Sequence, residues 1–352
     1  MPIKVYIVDD SAVVRQTLTH LLAGDPEIEL MGCAPNPLIA APVIRRTRPD
    51  VLLLDIEMPG MDGLTFLRQI MAQAPIPTVI CSTLTTNGSQ VALEALAAGA
   101  VAVVAKPRLG LKQFLEGSRH ELLQTLKAAA RARPRAMACP RTTGAVAAGK
   151  AAPTASAAPA LSINKPVVFG SSTGGTQAIE TVLSALGADC PGIAVVQHMP
   201  EKFTAMYAQR LDHNCAMNVR EARDGDRLER GVVLIAPGGR HLQLRRSGGQ
   251  YFAVVTDGPP VNRHKPSVDV LFRSVAESAG SNALAVLLTG MGDDGARGMK
   301  QLHDGGARTI AQDEESCVVF GMPMEAIRLG AVDDVLALQR IADAVTRFDA
   351  RG

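Results

Sequence analysis

IKVYIVDDSAVVRQTLTHLL, residues 3–22, changes its period halfway along. The first six residues form an apolar run of strand length that ends in Asp9 and Asp10. The remainder carries Val13, Val14, Leu18, Leu21 and Leu22 at a spacing of about 3.6 residues, as on one face of a helix. The stretch therefore predicts a buried strand, an acidic turn and an amphipathic helix.

The alternation continues downstream. Apolar runs at 51–54, 78–81 and 101–105 are separated by helical patterns around 62–72 and 89–98, with Pro42 expected to interrupt the helix before them. A second series starts at Pro166, with strands expected near 166–170, 193–197, 232–236, 283–289 and 307–311. Its helices are expected near 175–186, 268–279 and 335–348. Short continuous apolar strands between helices are the pattern of a parallel sheet covered on both faces, so the fold class is α/β in both halves. The halves share no periodic motif and are read as two different domains.

The chain has 352 residues, more than one hydrophobic core usually serves, and its 47% apolar and 20% charged content is that of a globular protein. From Leu122 to Ile179 there is no Asp or Glu, and the middle of that span is Ala, Pro, Thr and Arg without apolar period. The expected division is 1–125, a flexible linker over 126–163, and 164–352. No apolar run approaches the roughly 20 residues that cross a bilayer, and residues 1–9 read as strand rather than signal peptide, so the expected location is cytoplasmic, without membrane insertion. Cys33, Cys81, Cys139, Cys190, Cys215 and Cys317 stand singly, as reduced and mostly buried thiols would. A net charge of +2 argues against a nucleic-acid partner.

Open α/β sheets bind ligands at the carboxyl ends of their strands, where the first half carries Asp9, Asp10, Asp55, Ser82 and Lys106. Crowded carboxylates repel unless a hard cation neutralises them, and oxygen-only ligands favour magnesium over zinc. Asp9, Asp10 and Asp55 would share Mg²⁺. Asp55 is then the candidate nucleophile toward a phosphoryl group, with Lys106 pairing the phosphate and Ser82 donating a hydrogen bond. The plainer alternative is that Asp9 and Asp10 merely end a strand.

In the second half, Gly170-Ser171-Ser172-Thr173-Gly174 fits the G-x-S-x-G elbow, a strand-to-helix turn that exposes one hydroxyl. A glycine-rich cradle for phosphate at a helix N-terminus is an equal alternative, although no Lys follows the glycines. A hydrolytic serine needs a base and an orienting acid, and later strand ends supply His198 and Asp294. Their order, Ser, His, Asp, differs from that of α/β-hydrolases.

VDDS (8–11), LLLDIEMPGMDG (52–63) and AKP (105–107) resemble the response-regulator receiver domain. The resemblance implies a (βα)5 flavodoxin-like fold, phosphorylation of Asp55 by a histidine kinase, and Mg²⁺ held by Asp9, Asp10, Asp55 and the Glu57 backbone. It also implies a switch hydroxyl at Ser82, with Thr83 as runner-up. Val103 stands where receivers often carry an aromatic residue.

GSSTGGTQAIE (170–180), QHMP (197–200), APGGRHL (236–242), TGMGDDGARGM (289–299) and AQDEESCVVFGMP (311–323) resemble the chemotaxis protein-glutamate methylesterase domain. The order receiver, linker, esterase matches that family throughout. The resemblance implies a doubly wound parallel-sheet domain without cofactor, in which Ser172 is nucleophile, His198 general base and Asp294 orienting acid. Backbone N–H groups at Met291 and near the elbow would hold the oxyanion, with Thr173 assisting. Implied substrates are glutamate methyl esters, and glutamines, of methyl-accepting chemoreceptors, with activity restrained by the unphosphorylated receiver. His241, His264 and the loop DGPPVNRHKPSVD (257–269) also resemble family positions, but loop packing or strand-cap hydrogen bonding explains them at least as well, and they stand outside the catalytic set. A phosphorylation-dependent adaptor would not need Ser172, His198 and Asp294 together, and a DNA-binding regulator would need a basic recognition helix in the second half.

Overall fold

Alternate residues of the first sheet are buried toward opposite faces: Val5, Ile7, Leu53 and Val79 in one cluster, Val8, Leu52, Leu54 and Ile80 in another. A strand buried on both sides must be apolar without interruption, which is why these segments read as continuous runs. The computed structural model describes residues 1–58, 62–83, 86–106, 112–132 and 165–350.

The first half runs β1 (Ile3–Val8), α1 (Ala12–Leu22), β2 (Ile28–Ala34), α2 (Pro37–Arg46), β3 (Val51–Asp55), α3 (Gly63–Gln73), β4 (Thr78–Ser82), α4 (Thr86–Ala97), β5 (Ala102–Ala105) and α5 (Lys112–Ala130). The five strands are parallel in the order β2-β1-β3-β4-β5, so the chain direction reverses between β1 and β3. Ligand sites lie at such a switch point. Ser11, Asn36 and Asp62 cap α1, α2 and α3 by accepting backbone N–H groups of Val14, Ile39 and Thr65.

Two expectations need correction. Pro42 does not interrupt α2, which continues through it to Arg46. The N–H that proline lacks would have gone to the carbonyl of Leu38, and Leu38 is 68% exposed, so water can take that carbonyl. Pro42→Ala is expected to stabilise the domain by up to about 3 kcal/mol, the cost of a helix-interior proline relative to alanine. A melting temperature raised in a thermal scan is the check. Of the linker expected over 126–163, residues 126–130 belong instead to α5, which extends to Ala130 with Leu126 and Ala129 buried. Most of that expected linker, and Cys139 with it, lies outside the described residues. Of the other cysteines, Cys33 is exposed and four are buried.

The second half runs β6 (Val167–Ser171), α6 (Gly175–Ser184), β7 (Ile193–Gln197), α7 (Thr204–Asn214), β8 (Asn218–Glu221), β9 (Arg227–Leu228), β10 (Val232–Ile235), β11 (His241–Ser247), β12 (Gln250–Thr256) and α8 (Val268–Ser278). It continues with β13 (Leu284–Leu287), α9 (Ala296–Asp304), β14 (Arg308–Gln312), α10 (Met322–Arg328), β15 (Asp334–Leu336) and α11 (Leu338–Ala350). Seven parallel strands in the order β15-β14-β13-β6-β7-β10-β8 form the main sheet. Its switch point lies at β6, between β7 and β13.

A separate antiparallel sheet, β11-β12-β9, was not expected from the sequence. The helix expected over 335–348 starts instead at Leu338, because residues 334–336 pair with β14 as an edge strand. Among the described residues, no helix is long and apolar enough to cross a membrane.

The two halves touch at one face. The Gly174 N–H donates to the Val101 carbonyl (3.3 Å), and Gln177 Nε2 donates to the Leu96 carbonyl. Met291, Val318 and Val319 of the second half pack in the cluster that holds Ala129 and Ala132.

Candidate active site and phosphoacceptor pocket

Asp9 directly follows β1 and Asp55 ends β3, and their adjacent registers bring both side chains to one edge. Asp9 is 1% exposed and Asp55 fully buried. Lys106, just past β5, reaches across with Nζ 2.7 Å from Asp55 Oδ2 and 3.2 Å from Asp9 Oδ2. The second oxygens are held from the backbone, Asp9 Oδ1 by the Ser11 N–H (2.9 Å) and Asp55 Oδ1 by the Glu57 N–H (3.0 Å). Burial, only partly offset by Lys106 and the Glu57 N–H, raises the Asp55 pKa. Burial works in the opposite sense on the Lys106 ammonium but is outweighed by Asp55 and Asp9, which raise its pKa.

Asp10 completes the acidic group: one carboxylate oxygen from each of Asp9, Asp10 and Asp55 lies within 4.8 Å of the others. Asp9 Oδ2 is buried, and its one contact with a cation is the 3.2 Å ion pair to Lys106 rather than a hydrogen bond. A buried carboxylate oxygen with spare lone pairs beside two further carboxylates suits a hard cation. Ser82 is fully buried at the end of β4, while the Thr83 hydroxyl donates to Glu57 Oε2 (2.6 Å).

In the second half, β6 carries Ser171 and delivers Ser172 into the turn before α6. Gly174 caps α6 at φ 77°, a left-handed conformation that suits glycine, and a Cβ there would fall 2.5 Å from Val318 Cβ. The turn is tied to both neighbouring strands. The Ser172 N–H donates to the Thr289 carbonyl (3.0 Å), the His198 N–H to the Ser171 carbonyl (3.1 Å), and the Thr289 hydroxyl to the Thr173 carbonyl (3.0 Å). Gly290 lies so close that a Cβ on it would be 2.9 Å from Ser172 Cβ.

His198 follows β7, and its Nε2 is 2.8 Å from Asp294 Oδ2. Its Nδ1 is buried and has no hydrogen-bond partner, so no hydrogen bond to Ser172 is formed. Apo sites often show such loose nucleophile contacts. Asp294 is 1% exposed and sits on the N-terminus of α8. Its Oδ2 also accepts the Val268 N–H (2.7 Å), and its Oδ1 accepts the Ser267 hydroxyl (2.7 Å), Asn262 Nδ2 (2.7 Å) and, more weakly, the Asp269 N–H (3.3 Å). Burial would raise its pKa, but His198, Asn262 and Ser267 outweigh burial and hold it far below the carboxylate range.

The structure thus brings together Ser172, Thr173, His198, Met291 and Asp294 at the switch-point edge. The backbone N–H groups of Thr173 and Met291 donate to no described residue. Gln197, Asn262, His264 and Ser267 also belong to this cluster and were not among the expected site residues. Gln197 Nε2 donates to the carbonyls of Ser172 (2.9 Å) and His198 (3.0 Å), and its Oε1 accepts the Ser171 hydroxyl (2.7 Å). An amide at a strand end beside His198 was the available signal. His241 makes loop hydrogen bonds: its Nε2 donates to the Pro259 carbonyl (3.0 Å) and its Nδ1 accepts the Ser267 N–H (3.3 Å).

Known proteins of the same build exist. A family model described as CheB methylesterase matches residues 167–345, and one described as response regulator receiver domain matches residues 5–115. The chain is 55% identical to protein-glutamate methylesterase/protein-glutamine glutaminase 1 of Chromobacterium violaceum, over 97% of this chain and 98% of that protein. It is 56% identical to the enzyme numbered 2 of Dechloromonas aromatica, over 98% of each. The crystal structure of the Thermotoga maritima CheB methylesterase catalytic domain aligns with a TM-score of 0.51 at 40% identity, covering 52% of this chain and 98% of that one.

Proposed function

The chain belongs to the CheB methylesterase family, with a response-regulator receiver domain before the esterase domain, and on that premise we propose that phosphorylation of Asp55 controls hydrolysis at Ser172. The substrates are the γ-glutamyl methyl esters of chemoreceptors, and glutamines by the same route. The enzyme works in the cytoplasm, where a histidine kinase supplies the phosphoryl group.

The observation that carries the reading is the His198–Asp294 pair set against the Ser172 turn. His198 Nε2 is engaged by the carboxylate, which leaves Nδ1 as the basic nitrogen. Ser172 Oγ attacks the ester carbonyl carbon while its proton passes to Nδ1. The tetrahedral oxyanion takes hydrogen bonds from the free N–H groups of Thr173 and Met291. Collapse expels methoxide, which leaves as methanol with the proton from His198. Water, deprotonated by the same nitrogen, then attacks the acyl-serine and frees glutamate and Ser172. With a glutamine substrate the leaving group is ammonia.

In the receiver, Asp9, Asp10, Asp55 and the Glu57 backbone would hold Mg²⁺, which when bound neutralises the phosphoryl oxygens. Asp55 attacks the phosphorus of the kinase's phosphohistidine, the N–P bond breaks and the imidazole leaves, Lys106 pairs with the new phosphate charge, and Ser82 or Thr83 supplies the hydroxyl that senses it. The face joining the halves supports the coupling. The Val101 carbonyl sits on the Gly174 N–H within the serine turn, and Met291 packs against the cluster that holds Ala129 and Ala132. Phosphorylation weakens that contact and shifts the population toward an open cleft.

The test is methanol release from membranes bearing methylated receptors, with and without a small-molecule phosphoryl donor. Release that the donor accelerates is expected. No release under either condition would remove the esterase reading, and equal rates would remove the regulatory one.

A further inference from the structure

Residues 261–264 form a tight turn in which Val261 and His264 exchange both backbone hydrogen bonds, at 3.0 and 2.9 Å. The two residues between them, Asn262 and Arg263, have φ of 49° and 68°. Two consecutive residues other than glycine in the left-handed region are costly, and such strain persists only where the surroundings impose it. Here both ends of the turn are tied into the catalytic cluster. Asn262 Nδ2 bridges Asp294 Oδ1 and Asp269 Oδ2, at 2.7 Å each. The His264 ring lies flat on the His198 ring, with centroids 3.7 Å apart and planes inclined by 11°.

His198 needs such support. It is anchored at Cβ and, through one hydrogen bond, at Nε2, and these two points define an axis about which the ring can still turn. Nδ1 makes no hydrogen bond that would stop the rotation. A flat neighbour against the ring face stops it.

We infer that the Val261–His264 turn is a positioning element for the proposed base: His264, stacked on His198, fixes the plane of its ring, and Asn262 locks the carboxylate to which that ring is bonded. This rests on the assignment of Ser172, His198 and Asp294 above. His264 acts through the face of its ring and carries no proton in the reaction. Its environment agrees, since burial, with the neighbouring His198 and Arg263 adding to it against the pull of Asp294, pushes its pKa from 6.5 down to about 3. It is therefore neutral at any pH where the enzyme would be assayed.

The experiment measures methanol release by the full chain with phosphoryl donor present, for wild type, His264→Ala, His264→Leu and His264→Phe. Wild-type release is the control for the underlying reading, and its absence would overturn that reading and this inference together. With release in hand, His264→Ala is expected to lower kcat about 10–100-fold, as small misplacements of reacting groups do, with KM little changed. His264→Phe restores the flat face and is expected to recover most of the loss, with His264→Leu in between. A merely structural role would show as a lowered melting temperature without this order of rates. Should His264→Ala not fold, the comparison of Leu with Phe carries the same test. Phe no better than Leu or Ala, or Ala equal to wild type in kcat, would overturn the inference.

Discussion

Methanol release is expected to fall about 10⁶-fold in Ser172→Ala and about 10⁴-fold in Asp294→Asn, by analogy with serine hydrolases in which a nucleophile or orienting acid was removed. The serine change removes the atom that forms the acyl bond. The aspartate change acts through proton positions. Asp294 accepts from Ser267 Oγ, Asn262 Nδ2 and the N–H groups of Val268 and Asp269, while His198 Nε2 approaches the same carboxylate. An asparagine must aim its NH₂ group at one of these donors. If it faces Val268, the backbone donor loses its acceptor, at a cost of about 1–3 kcal/mol for an unsatisfied buried group. If His198 adapts by giving up the Nε2 proton, that proton moves to Nδ1, and the nitrogen intended for Ser172 becomes a donor. Asp294→Asn should therefore lose both rate and melting temperature, whereas Ser172→Ala, at a half-buried hydroxyl, should lose rate alone. Rates in steady-state methanol assays and melting scans on the same preparations separate the two. Unchanged turnover in Ser172→Ala would end the serine-hydrolase assignment.

Asp55→Asn is expected to abolish the response to phosphoryl donor, so that rates with and without it coincide. An amide nitrogen has no free lone pair with which to attack phosphorus, and the exposed carboxylate of Asp10 lies outside the Lys106 contact. Lys106 keeps Asp9 at 3.2 Å, so the pocket retains a counter-ion and the receiver should remain folded. Incorporation of label from a radioactive donor, measured beside methanol release, checks both parts. If Asp55→Asn is still labelled and accelerated, another residue is the phosphoacceptor.

Much of the site was legible because glycines and charged residues at strand ends are local signals. The switch from period two or continuous apolar runs to period 3.6 marks where each strand stops, and a parallel sheet puts those stops on one edge. That places Asp9, Asp55 and Lys106 together, and Ser172, His198 and Asp294 together, before any coordinate is known. Pro42 misleads as a helix breaker because the cost of a proline depends on whether water can reach the carbonyl it leaves free, and Leu38 is at the surface. The antiparallel β11–β12 hairpin and the edge strand before α11 were missed because HLQLRRS turns polar and exposed after Leu244, QYFAVVT carries apolar residues at both its buried and its half-buried positions, and the edge strand has only three residues.

The sequence by itself determined the two α/β domains, the edge of each sheet that bears chemistry and the residue types there, because hydrophobic period and glycine turns act over a few neighbours. Only the tertiary structure decided which nitrogen of His198 meets Asp294, that the helix α8 N-terminus cradles that carboxylate, and that His264 covers the imidazole face. It also decided that the first domain rests on the serine turn through Val101 and Gly174. These contacts join residues tens of positions apart, and their strength depends on burial and orientation, which no local pattern in the chain encodes.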